Sequence, residues 1–231
     1  MTIGILQTGN PPSSLQPRFG NYTDMFKALI GPGHDYAVFD VEAGALPSTP
    51  TTCQGWLVTG SSAGVYDDLP WIAPLEGFLR AAKGKTKIVG VCFGHQIMAQ
   101  AFGGRVEKSE KGWGVGLHHY AISQAAAWMD DGPAFAIPAS HQDQVTVLPP
   151  GAQLLGGNDF CPNGLIDYGD EAISMQAHPE FSGAFAQALL DRWLTKPDLA
   201  AQARAAIKTL DAPNDDERVG GWIRAFLSDG Q

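Results

Sequence analysis

One stretch of this 231-residue chain decides the fold: Gly90-Val91-Cys92-Phe93-Gly94-His95-Gln96. It follows the apolar, β-rich run Thr86–Val89 and leads into Gln96–Phe102, a helical pattern that ends at Gly103-Gly104. A cysteine at a strand-to-helix corner, with a glycine two residues away on either side, is typical of a nucleophile elbow. The glycines leave room where the backbone doubles back, and the positive end of the helix favours the thiolate form of Cys92.

The first hundred residues alternate between apolar strands and helices. Strands are predicted at 2–9, 36–40, 56–59 and 87–91, and helices at 19–30, 69–82 and 96–102. From 106 to 175 the pattern changes to short strands broken by turns. The predicted fold class is therefore α/β. We expect a flavodoxin-like, doubly wound, mostly parallel sheet with antiparallel additions and helices on both faces.

The last part of the chain is predicted to be helical, at 183–194, 197–210 and 217–227. Because α/β folds of this length commonly form one domain, we expect 1–231 to be a single domain with a helical tail from about 195 to 231. The chain starts at once with a strand, without the basic flank or cleavage site of a signal peptide. No apolar run is long enough to cross a membrane.

Composition narrows the classes of function. The net charge of −9, with no basic patch to offset it, argues against a nucleic-acid partner. Three cysteines, a small and odd number, suggest a reducing compartment, so we expect a cytoplasmic protein. Cys53 and Cys161 are interpreted as packing or surface thiols.

A second motif supplies the partner that a reactive cysteine needs. Gln176-Ala177-His178-Pro179-Glu180 closes the β-like run 171–175. Pro179 biases His178 towards an extended conformation, and extended residues two apart point the same way, so the Glu180 carboxylate can reach the His178 ring. A lone cysteine at a strand end is most often a small buried hydrophobe. Together with Cys92, however, the motif provides a nucleophile, a base and a group that orients the base.

These two motifs, in this order, resemble the class I (triad-type) glutamine amidotransferases, in their GMP-synthase-like stand-alone branch. The resemblance runs from the first strand to 178–181 and the helix after it. It implies a catalytic triad of Cys92, His178 and Glu180. It also implies an oxyanion hole formed by backbone N–H groups near Gly60 and Ser61, in the loop after strand 56–59, and at Phe93.

A further segment, Ser140-His141-Gln142-Asp143-Gln144-Val145, resembles the S-H-x-D-x-V stretch of the same branch. The resemblance implies that this turn and one glutamine of the elbow helix hold the amino-acid end of glutamine, through Gln96, Ser140, His141, Gln142 and Asp143. Without the other motifs the segment would be interpreted as an ordinary polar turn before a strand at 145–147. The stretch Lys111–Gly116 resembles another part of the branch and is expected only to shape the rim of the site.

Other signals are given structural interpretations. The pair His118-His119 suggests metal binding, but neighbouring strand residues face opposite ways, so we predict polar strand residues and no metal. No cofactor is predicted. Trp56, Trp71, Trp113 and Trp193 are expected in the core or at the rim. The charged residues Glu107, Lys108, Glu110 and Lys111 are expected to form a solvated face.

The resemblance implies hydrolysis of the side-chain amide of glutamine or another γ-glutamyl compound, with release of ammonia or an amine. Two outcomes stay open: transfer of ammonia to a separate synthetase subunit, or hydrolysis alone, as in the γ-glutamyl peptidases. Because about fifty helical residues follow the triad and no nucleotide-binding loop is visible, a stand-alone hydrolase acting on a small-molecule substrate is favoured. A thiol redox or stress protein of similar fold would lack the Q-x-H-P-E pairing, and a non-catalytic binding protein usually loses the cysteine or histidine.

Overall fold

The computed structural model describes residues 1–228, which form a nine-stranded sheet flanked by helices and a small two-stranded sheet. The strands are β1 (Thr2–Gln7), β2 (Asp35–Asp40), β3 (Gly55–Val58), β4 (Lys87–Val91), β5 (Arg105–Lys108), β6 (Gly114–Ile122), β7 (Ala134–His141), β8 (Asp143–Val147), β9 (Gln153–Gly157), β10 (Leu165–Asp167) and β11 (Ala172–Met175). The helices are α1 (Gln16–Phe19), α2 (Tyr22–Ile30), α3 (Ile72–Ala82), α4 (Phe93–Ala101), α5 (Gly183–Asp191), α6 (Pro197–Thr209) and α7 (Asp216–Ser228).

The order of strands in the large sheet confirms the predicted fold class. Strands β2-β1-β3-β4-β11 pair in parallel, which is the doubly wound order of flavodoxin-like folds. Strands β10, β9, β6 and β7 continue the sheet in antiparallel pairs. Strands β5 and β8 form the separate two-stranded sheet.

Two apolar cores cover the two faces of the parallel strands. On one face, residues of α2 and α7 pack on alternate strand residues such as Ile3 and Ile5. On the other face, α3 and α4 pack around the buried Trp56. Gly4 makes room for this indole, because a Cβ there would lie 2.0 Å from a ring carbon of Trp56. Strands buried on both faces explain why the sequence shows continuous apolar runs in place of alternation.

The predicted helix at 19–30 is in fact two helices. α1 ends at Phe19, and α2 begins at Tyr22 behind a capping box. The Asn21 side chain accepts a hydrogen bond from the Asp24 N–H at 2.9 Å, and the Asp24 carboxylate accepts one from the Asn21 N–H at 3.1 Å. The polar side chain of Asn21 therefore fixes where α2 begins.

Asn21→Ala is expected to lower the free energy of unfolding by about 1 kcal/mol, since the first turn of α2 would lose its cap. Urea unfolding followed by circular dichroism measures the change. Asn21→Ser keeps an oxygen that can accept the Asp24 N–H and is expected to recover most of the stability. An equal loss in the alanine and serine variants would contradict the capping role.

Two other helices begin at residues that differ from the prediction. α3 begins at Ile72 and not at 69, because Pro70 disfavours helical backbone at the residue before it. α4 begins at Phe93, three residues before the predicted Gln96. Its first hydrogen bond, from the Gln96 N–H to the Cys92 carbonyl at 3.0 Å, makes Cys92 the residue that precedes the helix.

The predicted turn at 140–143 is shorter than expected. Ser140 and His141 end β7, which pairs with β6 along its whole length, and Asp143 begins β8. Gln142 alone carries the chain from the large sheet to the small one, and its carbonyl accepts a hydrogen bond from the Ser109 N–H at 3.0 Å. The strands β6 and β7, with nine and eight residues, are also longer than the short strands predicted there.

The three predicted C-terminal helices are present as α5, α6 and α7. α6 packs closely on β6, where Gly116 has a φ of 91° and a Cβ would lie 2.5 Å from the Thr209 hydroxyl oxygen. The Leu117 N–H donates to the same oxygen at 2.8 Å. The part of the predicted tail at 229–231 lies outside the described residues. Within 1–228, none of the helices combines the length and apolar character that a bilayer crossing requires.

Candidate active site

The candidate site lies where four neighbouring parallel strands end. The segments after β1, β3, β4 and β11 contribute Asn10, Gly60, Cys92 and His178 to the lining of one cavity of about 570 Å³. Ligand sites in doubly wound folds form at this carboxyl edge, next to the point where the strand order reverses. The site thus occupies the position that the fold favours.

Cys92 sits in a strained backbone conformation between β4 and α4. Its φ of 56° and ψ of −104° lie in a region that residues with a side chain rarely adopt. Tight contacts around the corner explain the flanking glycines: a Cβ at Gly90 would lie 2.5 Å from the Gly94 carbonyl oxygen, and one at Gly94 would lie 2.3 Å from the Val58 carbonyl oxygen. The corner therefore has the elbow geometry that the sequence predicts.

His178 and Glu180 form a buried pair beside this corner. The His178 Nδ1 and the Glu180 Oε1 are 2.7 Å apart, and both side chains are almost fully buried. The predicted contact is present, but its local geometry differs from the prediction. His178 follows the end of β11, and Pro179 and Glu180 form a turn in which the Phe181 N–H donates to the His178 carbonyl at 3.3 Å. Glu180 thus folds back onto the ring across a turn.

The charge state of His178 follows from its neighbours. Burial alone would lower its pKa, but the negative charges of Cys92 and Glu180, with hydrogen bonds to both, raise the pKa of His178 to about 10. The ring is therefore protonated at neutral pH. The Phe181 ring stacks on the imidazole with centroids 3.9 Å apart and covers its face. A protonated imidazole held between a carboxylate and a thiol can donate a proton to a departing group.

The loop after β3 packs directly against the cysteine and histidine. A Cβ at Gly60 would lie 3.2 Å from the His178 Cε1 and 3.7 Å from the Cys92 Cβ. Buried hydrogen bonds hold this loop, since the Thr8 hydroxyl donates to the Thr59 carbonyl at 2.8 Å and the Thr8 N–H to the Thr59 hydroxyl at 3.0 Å. Fixed backbone beside the cysteine is what an oxyanion hole requires.

Ser61 and Phe93 complete the predicted oxyanion group. Ser61 lines the cavity next to Gly60. Phe93 is the first residue of α4, so its N–H has no acceptor within the helix. Its side chain is buried against Trp71, with ring centroids 5.4 Å apart. Phe93 can therefore contribute to the site only through its backbone.

The predicted substrate-binding residues Gln96, Ser140, His141, Gln142 and Asp143 all line the same cavity. The Gln96 side-chain nitrogen donates to the Asp143 carbonyl at 2.8 Å and to the Gln176 side-chain oxygen at 3.1 Å. Gln96 thus fixes the position of Asp143. The His141 Nδ1 donates to the same carbonyl at 3.1 Å. Burial lowers the pKa of His141 to about 3, so this ring is neutral and offers no positive charge to a carboxylate.

Tyr66, Lys108 and Arg192 line the cavity although no sequence motif places them there. Tyr66 donates a hydrogen bond to the Asp143 carboxylate at 2.8 Å, which joins two segments 77 residues apart. Lys108, predicted to belong to a solvated face, is exposed but also lines the cavity, because β5 pairs with β8 and sets it opposite Asp143. Arg192 lines the cavity as well. No local sequence signal marks these three residues, since their places in the cavity depend on distant segments. The Trp113–Trp193 pair, with ring centroids 5.1 Å apart, also lines the cavity, which agrees with the rim position expected for both tryptophans.

The remaining candidates lie outside this group. Cys53 and Cys161 are buried free thiols, and burial raises the pKa of Cys161 to about 12. Burial lowers the pKa of His118, whose ring packs against Phe160 with centroids 5.5 Å apart. Residues 1–228 contain no group of three or more His, Cys, Asp or Glu side chains placed to hold a metal ion.

The fold and the site together define a class: doubly wound α/β proteins in which a strained cysteine at a strand–helix corner faces a buried histidine–glutamate pair. The sequence profile of the class-I glutamine amidotransferases matches residues 33–196, which is more than half of the chain. The chain therefore belongs to the class-I glutamine amidotransferase family, as the sequence motifs predict.

Individual relatives resemble the chain over nearly its full length. A glutamine amidotransferase-like protein of Schizosaccharomyces pombe is 28% identical, with 97% of this chain and 98% of the relative aligned. Gamma-glutamyl peptidase 4 of Arabidopsis thaliana is 28% identical over 90% of this chain and 89% of its own. The crystal structure of a glutamine amidotransferase from Thermotoga maritima shares the fold, with a TM-score of 0.74 at 17% identity, over 98% of this chain and 96% of that one.

Proposed function

We propose that this protein hydrolyses the side-chain amide of glutamine or another γ-glutamyl compound, with Cys92 as the nucleophile. Membership of the class-I glutamine amidotransferase family and the γ-glutamyl peptidase relative support the reaction. The observation that carries the proposal is the buried His178–Glu180 pair, 2.7 Å apart, beside the strained corner at Cys92. This arrangement supplies the nucleophile, acid–base group and orienting carboxylate of thiol acyl transfer.

The reaction proceeds in two steps. The Cys92 thiolate forms a bond to the γ-carbonyl carbon, and the C–N bond breaks as His178 donates its proton to the departing nitrogen. Backbone N–H groups at Gly60–Ser61 and Phe93 stabilise the negative oxygen of the tetrahedral intermediate. Water then attacks the thioester carbonyl carbon and His178 takes up one proton of that water. The C–S bond breaks, glutamate leaves, and Cys92 is restored as a thiolate beside protonated His178. Glu180 acts as a positioning residue that keeps the His178 ring in one tautomer and orientation.

The similarity to γ-glutamyl peptidase 4 over about nine-tenths of both chains favours release of the amine into solution over its transfer to a synthetase subunit. We propose that residues 1–231 form one domain, since α6 packs on β6 and α7 shares a core with α2. A cytoplasmic location is supported by the three cysteines, all of which are free and buried thiols.

We propose that the segment around Asp143 binds the amino-acid end of the substrate. Its carboxylate lines the cavity, is held by the Tyr66 hydroxyl at 2.8 Å, and can pair with the α-ammonium group of the substrate. The neutral His141 and the amide of Gln96 fix the backbone of the same residue. A carboxylate positioned in this way recognises an amino acid and not a simple amide.

Glutamine is therefore expected to be hydrolysed with a kcat/KM roughly tenfold to a hundredfold above that of glutaramate, which lacks only the α-amino group. Glutamate dehydrogenase coupling or ammonia detection measures the two rates. Asp143→Asn is expected to remove most of this preference, whereas Asp211→Asn, at an exposed carboxylate after α6, should not change it. Equal turnover of glutamine and glutaramate by the unmodified protein would show that the cavity does not recognise the α-amino group of the substrate.

A further inference from the structure

The cavity extends beyond the cysteine and histidine to the end of α5. Around the end of α5, Leu189, Arg192 and Trp193 belong to its lining, together with Trp113. The volume of about 570 Å³ lies in the range of ~300–1,000 Å³ typical of pockets that bury drug-sized ligands. The cavity therefore has room for a second group attached to the γ-amide nitrogen.

This part of the cavity lies on the side of His178. The Phe181 ring stacks on the His178 imidazole and contacts Phe185 of α5 edge-on, with centroids 4.6 Å apart. Leu189 and Arg192 lie four and seven residues after Phe185, so the same face of α5 continues from Phe185 to Arg192 at the C-cap of the helix. In the proposed reaction His178 protonates the departing nitrogen, so the leaving group emerges on this side.

The charge of Arg192 has no partner in the described structure. The guanidinium takes part in none of the ion pairs within residues 1–228, although the chain carries a net charge of −9. Its planar fork of donors fits a carboxylate in a bidentate pair. Beside it, Trp113 and Trp193 meet edge to face at 73° and present apolar surface to the cavity.

We infer that Arg192 binds the carboxylate of the leaving group, so that the preferred substrates are γ-glutamyl amino acids or peptides in place of glutamine itself. The Trp113–Trp193 pair then receives a large apolar side chain on the leaving residue. This inference rests on the proposed function and adds a specificity-determining residue to it. The chemistry is unchanged: the γ C–N bond breaks, the nitrogen takes the His178 proton, and a free amino acid leaves, after which water releases glutamate from Cys92.

The test compares three substrates: γ-glutamyl-phenylalanine, its C-terminal amide, and glutamine. Because Arg192 is exposed, the unmodified protein is expected to prefer the acid over the amide in kcat/KM by about two- to fivefold. Arg192→Gln should bring that ratio close to one, and Arg192→Lys should keep only part of it, since lysine has the charge but not the fork. Arg204→Gln, at an exposed arginine on α6 away from the cavity, should leave the ratio unchanged.

Each other result would overturn the inference. Equal rates with the acid and the amide in the unmodified protein would overturn it without any variant. A preference for the acid that survives in Arg192→Gln would also overturn it. If either of these results came with turnover of glutamine, the proposed function would still hold and only the role of Arg192 would be wrong. Absence of turnover with all three substrates would instead overturn the proposed function, and this inference with it.

Discussion

Replacing Cys92 by serine is expected to reduce hydrolysis of γ-glutamyl amides to the uncatalysed background. A hydroxyl does not ionise at neutral pH, so serine cannot supply the charged nucleophile that the proposed reaction needs beside the His178–Glu180 pair. The substitution changes one atom at a buried corner, so the fold should be retained. Release of glutamate from glutamine measures the loss, and circular dichroism verifies that the variant is folded.

The other two cysteines provide matched controls. Cys53→Ser and Cys161→Ser are expected to keep most of the activity, because neither residue lines the cavity. Burial also raises the pKa of both thiols, that of Cys161 to about 12, which disfavours a reactive thiolate at either position. Alkylation by iodoacetamide, located by mass spectrometry, should modify Cys92 first. Activity retained in Cys92→Ser, or lost in either control while the protein stays folded, would contradict the assignment of Cys92.

The features that the sequence predicts well are those encoded by neighbouring residues. The corner at Cys92 depends on Gly90 and Gly94, because the closely approaching backbone leaves no space for a side chain at either position. The His178–Glu180 contact is likewise confined to a single turn. Alternation of apolar strands with helices was enough to predict the doubly wound sheet, because each strand and each helix shows its own hydrophobic pattern within a short stretch of sequence.

The features that the sequence does not reveal depend on contacts between distant segments. Lys108 lies opposite Asp143 only because β5 and β8 leave the large sheet and pair with each other. Tyr66 reaches Asp143 across 77 positions, and Arg192 enters the cavity only because α5 follows the turn after His178. Pairing of this kind is set by tertiary packing, so a local pattern does not encode it. The sequence could therefore predict that Cys92, His178 and Glu180 lie at one site, whereas it could not place Tyr66, Lys108 and Arg192 there.

Glu180→Gln is expected to lower kcat by ~10²–10⁴-fold while leaving KM nearly unchanged. The amide keeps the shape of the side chain and an oxygen for the His178 Nδ1, but it loses the charge that stabilises the imidazolium. Glu180 does not line the cavity, so a substrate does not touch it and its affinity should be preserved. Steady-state kinetics with glutamine separate the two constants.

A pH profile distinguishes an electrostatic role of Glu180 from a merely structural one. The negative charge of Glu180 helps to raise the pKa of His178, so its removal lowers that pKa and the ring loses its proton at a lower pH. Because the ring must be protonated to release the amine, the alkaline limb of kcat/KM should move to lower pH in Glu180→Gln. The exposed control Glu110→Gln should leave both kcat and the limb unchanged. If substrate affinity collapsed while kcat was preserved, Glu180 would be a binding residue. If kcat fell while the alkaline limb of the pH profile stayed in place, Glu180 would have only a packing role.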